Sequence, residues 1–425
     1  MTIVDDPAAT TGTHRLERPA RPRTSLRRLV RDVGPGYAAN GLIGLIFSCT
    51  GPVAVILAAG AAGGLSAADI ASWIFGVFVL NGILTIAMSL AYRQPLAFFW
   101  TIPGTVVVGG SLGHLSWPEV IGAFLVTGAL ILLLGASGLV RRVMAALPMP
   151  IVMAMVAGVF LKFGVDLVSA LGADVAIAAP MVAVFLALSA WVRAGKWMPP
   201  ILGALLAGVV AVAASGRFAP APGSGAILAA PVFTAPVFTW SAIAELVLPL
   251  AITVLVVQNG QGVAVLAAAG HRPPVTVSTI ACGLWSLAAA CVGAVSTCLT
   301  GPTNALLVAS GDRGRQYTAA VTCGALAIVF GSFAPVFVRA MTAAPVAFVA
   351  TLGGLAMLRA LQGAFVAAFG TRHTMGALVA FVVTAANVTF LNIGAAFWGL
   401  VAGMTVSWML ERDQFRRSGD PGSAA

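Results

Sequence analysis

The spacing of its charges restricts this chain more than any other feature. From residue 36 to residue 411 it runs through apolar stretches of about twenty residues, and the short connections between them hold most of the ionisable side chains. A helix rises about 1.5 Å per residue, so about twenty apolar residues cover the roughly 30 Å hydrocarbon core of a bilayer. Charged residues are 8% of the chain and apolar ones 60%, with a mean hydropathy of +1.01. A soluble domain carries roughly 25% charged residues. No soluble fold buries this much apolar surface, so the chain reads as an all-α polytopic protein of the lipid bilayer.

Segmenting at charges, prolines and glycine clusters predicts helices over 36–58, 66–91, 117–139, 147–168, 174–194, 198–215, 239–268, 275–295, 316–338, 344–369, 373–391 and 394–411. Two further apolar stretches, 95–112 and 297–311, are too short and too broken by Gly and Pro for ordinary spans. Counted as crossings, they bring the total to fourteen. The positive-inside rule tests that count. With both termini in the cytoplasm, the inside loops carry Arg93, Arg141 with Arg142, Arg193 with Lys196, Arg272, Arg313 with Arg315, and Arg372. The outside connections hold only Arg217 and Arg339. Dropping either short segment inverts every later loop and spoils this pattern.

The net charge is +10, and ten of the 23 basic residues sit at the ends. Arg15, Arg18, Arg21, Arg23, Arg27, Arg28 and Arg31 crowd the first, and Arg412, Arg416 and Arg417 close the last. No nucleic-acid recognition fold accompanies them, so they read as topology charges and no nucleic-acid partner is expected. The first 33 residues have no short apolar core with a cleavage site, so no cleavable signal peptide is expected. Cys49, Cys282, Cys291, Cys298 and Cys323 lie in apolar stretches with no C-x-x-C pair. They read as small buried hydrophobes, not as a disulfide frame or a metal site.

The two short segments correspond. Pro103 in "FFWTIPGTVVVGG" and Pro302 in "CLTGPTNALLVASG" are 302 − 103 = 199 residues apart. A shift near 200 maps spans 1–7 onto spans 8–14. Seven is odd, so the halves are inserted upside down relative to each other. Paired interrupted segments of this kind point to a transport site. The expected organisation is a disordered basic cytoplasmic tail over 1–33, a first seven-span repeat over 34–215 and an extracytoplasmic loop over 216–238. A second, inverted seven-span repeat covers 239–412, and a cytoplasmic tail covers 413–425.

Each broken segment reads as a short extended stretch, then a proline, then a Gly- and Val/Leu-rich half-helix. Proline suits a first helical turn, so the half-helices are expected to begin at Pro103 and Pro302. Their first-turn N–H groups lack intrahelical partners and attract an anion. Gly104 and Thr105 stand on one side, and Thr300, Thr303 and Asn304 on the other. A third polar stretch, "VVQNGQGVAVL" over 256–266, places Gln258, Asn259 and Gln261 in an apolar helix. These amides either glue helices together or line a cavity. The matching stretch "FSCTGPVAV" offers Ser48 and Thr50, and Gly51-Pro52 reads as a break in that helix. Phe98 and Trp100 share one face of the first extended stretch. They either stack on an aromatic cargo or pack against protein and lipid.

Three stretches, "QNGQGVAVLAAAGHRPPV" (258–275), "WTIPG" (100–104) and "IGAAFWGLVAG" (393–403), resemble the benzoate/proton symporter (BenE) family of bacterial inner-membrane proteins. The resemblance runs from about residue 35 to 412. It implies the fold of the nucleobase–ascorbate transporters: a core domain of spans 1–4 and 8–11 moves against a gate domain of spans 5–7 and 12–14. Substrate lies between broken spans 3 and 10. This chain departs from the family at Gln261, where a proline is usual, at Ile102, where a small polar residue is usual, and in the broken tenth span. Nucleobase carriers of this fold hold the heterocycle with carboxylates in spans 8 and 10. Gln258, Asn259, Thr303 and Asn304 are neutral, which favours an anionic carboxylate cargo.

The expected function is import of benzoate or a similar small aromatic carboxylate with protons. A carrier or channel for another small anion or a nucleobase is the alternative. A proton carrier is not evident. Asp69, Glu119, Asp166, Asp174, Glu245 and Asp312 fall near span ends, Lys162 and Arg359 can snorkel, and His114, His271 and His373 read as interfacial. There is no H-E-x-x-H or phosphate loop, so neither an enzyme nor a cofactor is expected. Related folds often dimerise through the gate domain, so a homodimer is open by analogy.

Overall fold

The computed structural model describes residues 16–19, 24–140, 148–191, 198–218, 225–309, 311–370, 372–388, 390–391 and 393–417. The topology charges Arg15, Arg21, Arg23, Arg141, Arg142, Arg193 and Lys196 lie outside the described residues. The chain is a helical polytopic membrane fold. Its apolar helices are α1 (Pro35–Ala62), α2 (Ala67–Tyr92), α3 (Ile102–Ser111), α4 (Trp117–Ser137), α5 (Met149–Ala173), α6 (Val175–Ala190) and α7 (Pro200–Ala214). They continue as α8 (Trp240–Ala268), α9 (Val275–Ala290), α10 (Gly301–Leu307), α11 (Tyr317–Ser332), α12 (Val346–Phe369), α13 (Thr374–Ala386) and α14 (Ala395–Leu410). Six of them, α1, α2, α4, α5, α8 and α12, are long and apolar enough to cross a bilayer unaided. The helix α11 turns by 63° into Ala334–Thr342, where Pro335 removes a helix donor.

The helices pack in two sets. The helix α1 lies against α11, α4 against α9, and α2 against α11. In the other set α5 lies against α12 and α13, α6 against α7, and α13 against α14. Lipid offers no hydrophobic drive between helices, so close approach at small residues carries the packing. At the α2–α11 crossing, a Cβ added to Gly82 would stand 2.7 Å from the Gly324 carbonyl oxygen, and one added to Gly324 would stand 2.8 Å from that of Gly82.

Two findings correct the sequence reading of α1 and the tail. Gly51-Pro52 does not break α1, which runs unbroken over 28 residues with Pro52 inside it. Gly51 is instead a contact point: a Cβ there would meet the Ala356 Cβ of α12 at 2.4 Å. The segment 1–33, expected as a disordered tail, contains a helix, Leu26–Asp32, capped by the Ser25 hydroxyl. Glu17 accepts the Thr276 and Val277 N–H groups at the start of α9 at 3.0 and 3.1 Å. Asp32 is held by Arg28, Arg31 and the Tyr317 hydroxyl. Burial raises the Asp32 pKa, but hydrogen bonds from these partners outweigh it and leave the carboxyl below its ordinary value. Cys291 is exposed, unlike the buried Cys282, Cys298 and Cys323.

The broken segments meet. Phe98–Trp100 forms strand β1 and Thr297–Leu299 forms strand β2. They pair antiparallel, Phe98 opposite Leu299, Phe99 opposite Cys298 and Trp100 opposite Thr297. Backbone bonds from Thr300 N–H to the Ala97 carbonyl and from Thr101 N–H to the Ser296 carbonyl extend the ladder at both ends. A two-stranded ladder inside a membrane protein leaves outward N–H and C=O groups that need partners. Side chains of flanking helices supply them. The Thr85 hydroxyl of α2 accepts the Phe98 N–H at 2.8 Å and lies 3.1 Å from its carbonyl oxygen. Ser89 accepts the Leu96 N–H, and Ser286 of α9 accepts the Thr297 N–H.

Candidate functional site

Because β1 and β2 run antiparallel and each leads into a helix within three residues, α3 and α10 leave the crossing in opposite directions. Both helices turn their positive ends toward it. Each starts one residue before its proline, at Ile102 and at Gly301, so Pro103 and Pro302 occupy the first turn. Four residues of strand separate Thr101 from the position facing Thr300, so the two ends stand about 14 Å apart along the ladder.

The two ends are not equivalent. At α3 the Thr101 hydroxyl accepts the Gly104 N–H at 3.1 Å. The Thr105 hydroxyl turns back to the Thr101 carbonyl at 2.9 Å. At α10 no side chain caps the helix. The N–H groups of Gly301 and Thr303 have no acceptor among the described residues. Unsatisfied donors at a helix start are groups that can accept an anion.

The amides named from sequence divide by their work. Asn259 accepts the Leu299 N–H at 2.7 Å and stands beside the Cys282 thiol, which pins β2 to α8 and α9. Asn304 accepts the Ala97 N–H at 2.9 Å and donates to the Thr300 carbonyl at 2.7 Å. It therefore clips β1 to α10. Gln258 is 3% exposed and Thr300 2% exposed, yet their side chains have no hydrogen-bond partner among the described residues. Gln261 is exposed and lies against α10: a Cβ on Gly301 would meet its Cβ at 2.6 Å and its Oε1 at 3.1 Å. Neither is sealed in as the unpaired atoms of Trp100 and Ser296 are, so the Gln258 amide and the Thr300 hydroxyl stay open to a partner.

Other named residues go elsewhere. The Thr303 hydroxyl faces Ser48 of α1 at 3.3 Å, and the Thr50 hydroxyl returns to the Ile46 carbonyl of its own helix. Thr105, Thr303 and Asn304 thus do not converge on one space. Phe98 packs in an apolar cluster with Leu84, Met88 and Leu255. Trp100 packs on Phe78 and Phe99 with ring centroids 5.1 and 5.9 Å away. Its indole N–H and the Ser296 hydroxyl are buried without a partner. An apolar cleft of about 460 Å³ between α4, α8 and α14 carries one polar side chain, Thr405, and is not part of this arrangement.

Helix α8 departs from α geometry where it matters. It widens to π turns over Ile243–Val247 and Thr253–Asn259, the second containing Gln258 and Asn259. Such turns recur at functional sites. The first contains Glu245, whose position near a span end concealed its burial: it is 2% exposed. Its only sequence signal is that it is the sole ionisable residue in the apolar run 239–268.

A pair of broken helices crossing through a short antiparallel ladder, with unclaimed donors beside it, defines a membrane transporter. A family profile described as benzoate membrane transport protein matches residues 31–409. The chain belongs to that family. It is 31% identical over 383 residues to the inner membrane protein YdcO of Escherichia coli, covering 88% of this chain and 95% of that one. It is 27% identical to the benzoate membrane transport protein of Acinetobacter baylyi, covering 91% and 98%. The fold is similar to the transmembrane domain of a cyanobacterial bicarbonate transporter, BicA, with a TM-score of 0.60 at 14% identity over 90% of this chain and 99% of that one. SLC26A9 gives 0.58 at 13% identity, over 88% and 65%.

Proposed function

We propose that the protein imports benzoate or a similar small aromatic carboxylate with a proton, by alternating access. In this reading fourteen crossings form two inverted repeats of seven. The set α1–α4 with α8–α11 is the core, and α5–α7 with α12–α14 is the gate. The division follows the packing, in which most neighbours fall within one set. The repeat is supported by the ladder's supports: Thr85 accepts the β1 N–H of Phe98 as Ser286 accepts the β2 N–H of Thr297. Both termini are read as cytoplasmic. The tail over 1–33, the loop over 216–238 and the tail over 413–425 bound the repeats.

The observation that carries the reading is the uncapped start of α10, with Thr300 at its N-cap and Gln261 packed against Gly301. The carboxylate would accept from the Gly301 and Thr303 N–H groups, with the Gln258 amide, the Thr300 hydroxyl and Gln261 at its margin. Hydrogen bonds to a charged acceptor contribute about 1.5–3 kcal/mol each. No Asp or Glu lies in 95–112 or 294–309, so nothing in either broken segment repels an anion. Asn259, Asn304 and Thr101 position the ladder. Trp100 and Phe98 form the packed wall behind it, and the unpaired Trp100 indole N–H is a further donor. Pro103, Gly104, Thr105, Pro302 and Thr303 shape the two helix starts, and Thr50 lines the α1 side.

Uptake of labelled benzoate into proteoliposomes under an imposed pH gradient tests this. Uphill accumulation that collapses with a protonophore is expected. Uptake that only equilibrates would point to a channel or uniporter, and preference for bicarbonate, sulfate or uracil in the same assay would move the cargo class.

A further inference from the structure

The symport reading needs a group that takes up the proton, and the crossing itself contains no ionisable side chain. The most deeply buried acid among the described residues is Glu245, in the first π turn of α8. Three elements enclose it. The Ser111 hydroxyl, at the last residue of α3, bonds Oε1. His114 Nε2 stands 2.8 Å from Oε2. A Cβ on Gly394, just before α14, would stand 2.4 Å from Oε1, so the backbone entering α14 presses on the carboxyl. Glu245 therefore sits where the end of α3 and the start of α8 meet the start of α14.

Its charge environment is sparse. The helix α3 contains no ionisable residue, and neither does α14; Glu119 is the one ionisable residue of α4. Glu119 is engaged by the Ser116 N–H and hydroxyl at the start of α4. The imidazole of His114 is the only basic side chain paired with Glu245 among the described residues. Its side chain is 24% exposed against 2% for Glu245. The histidine is thus the more accessible of the pair, and it reaches the acid.

Ser111 fits both protonation states. Its oxygen lies 3.1 Å from the Val107 carbonyl as well as against Glu245. When Glu245 is ionised, the serine proton points to the carboxylate. When Glu245 is neutral with its proton on Oε2, Oε1 is the carbonyl oxygen and still accepts from Ser111, while the Oε2–H points back to His114 Nε2. A buried carboxylate that stays hydrogen-bonded whether charged or not is suited to load and release a proton.

We propose that Glu245 carries the symported proton, loaded through His114 and accommodated by Ser111. This rests on the symport reading above. The transfer balances: His114 passes its Nε2 proton to Glu245 Oε2 and regains one from water, so the carboxylate becomes a carboxyl. Neutralising Glu245 removes a negative charge from the C-terminal, electronegative end of α3 and from the seam with α14.

The test is proton uptake on addition of benzoate to purified protein in weakly buffered detergent solution, read with a pH dye. Wild type is expected to take up about one proton per benzoate bound. E245Q is expected to bind benzoate, take up none, and exchange it across proteoliposomes without accumulation under an acid-outside gradient. E245Q that accumulates benzoate like wild type overturns the proposal. Should E245Q fold poorly, S111A reads the same point: the pH midpoint of accumulation is expected to move, and an unmoved midpoint overturns it. A wild type that binds no benzoate refutes the cargo reading, not this one. The infrared carboxyl band of ligand-free protein then decides: a band that titrates in wild type and E119Q, shifts in S111A and vanishes in E245Q supports Glu245, and one that persists in E245Q or is unmoved in S111A overturns it.

Discussion

Replacing Asn304 by alanine separates a structural clip from a ligand contact. The Asn304 Oδ1 accepts the Ala97 N–H at 2.9 Å, and its Nδ2 donates to the Thr300 carbonyl at 2.7 Å. Alanine leaves the Ala97 N–H buried with no acceptor, at a cost of about 1–3 kcal/mol, and loses a net bond to Thr300 of about 1 kcal/mol. The Ala97 carbonyl keeps its bond from the Thr300 N–H, so the total is about 2–4 kcal/mol. At about 2 °C per kcal/mol for a chain of this size, N304A should melt roughly 4–8 °C below wild type. Tryptophan fluorescence on heating in detergent reads this. N304D keeps the acceptor but sets a second oxygen against two carbonyls, and should melt no higher than N304A. T105A, whose hydroxyl only returns to its own helix, should stay within about 1 °C. An N304A protein that melts with wild type and has lost benzoate binding would refute the clip and make Asn304 a ligand residue.

Three further outcomes follow from the same structure. Q258L breaks no hydrogen bond among the described residues, so it should melt at or slightly above wild type while calorimetric Kd for benzoate rises about 10–100-fold. G262A places a Cβ 2.5 Å from the Leu299 carbonyl oxygen, which cannot move without the ladder; it should destabilise by about 1–3 kcal/mol in thermal melts. D32N should lower stability at pH 7. Because the folded Asp32 pKa lies below its unfolded value, the contribution is present above about pH 4 and is lost as pH falls through the folded value. The wild-type and D32N melting curves should therefore converge in acid.

Pro103 and Pro302 were legible because proline within an apolar run admits few conformations, and their matched spacing made each evidence for the other. The ladder between them was not legible as a contact. Three-residue strands carry no period, and their pairing joins residues about two hundred positions apart. Residue type also does not reveal which backbone group a side chain serves. Asn259 and Gln258 are adjacent and chemically alike, yet one is consumed by the Leu299 N–H and the other is free. Gly51-Pro52 reads as a break, but α1 tolerates it because Gly51 seats on Ala356 of α12. By position Glu245 reads as a span-end acid, while packing from α3 and the α14 entry buries it.

The central claim is that the uncapped start of α10 recognises a carboxylate through N–H donors. The affinities of purified protein for benzoate and for benzamide, its neutral isostere, test it most directly. Exchanging a charged acceptor for a neutral one should cost about 1–1.5 kcal/mol per bond, so benzoate should bind at least about tenfold more tightly. Equal affinities, or tighter binding of benzamide, would contradict the account.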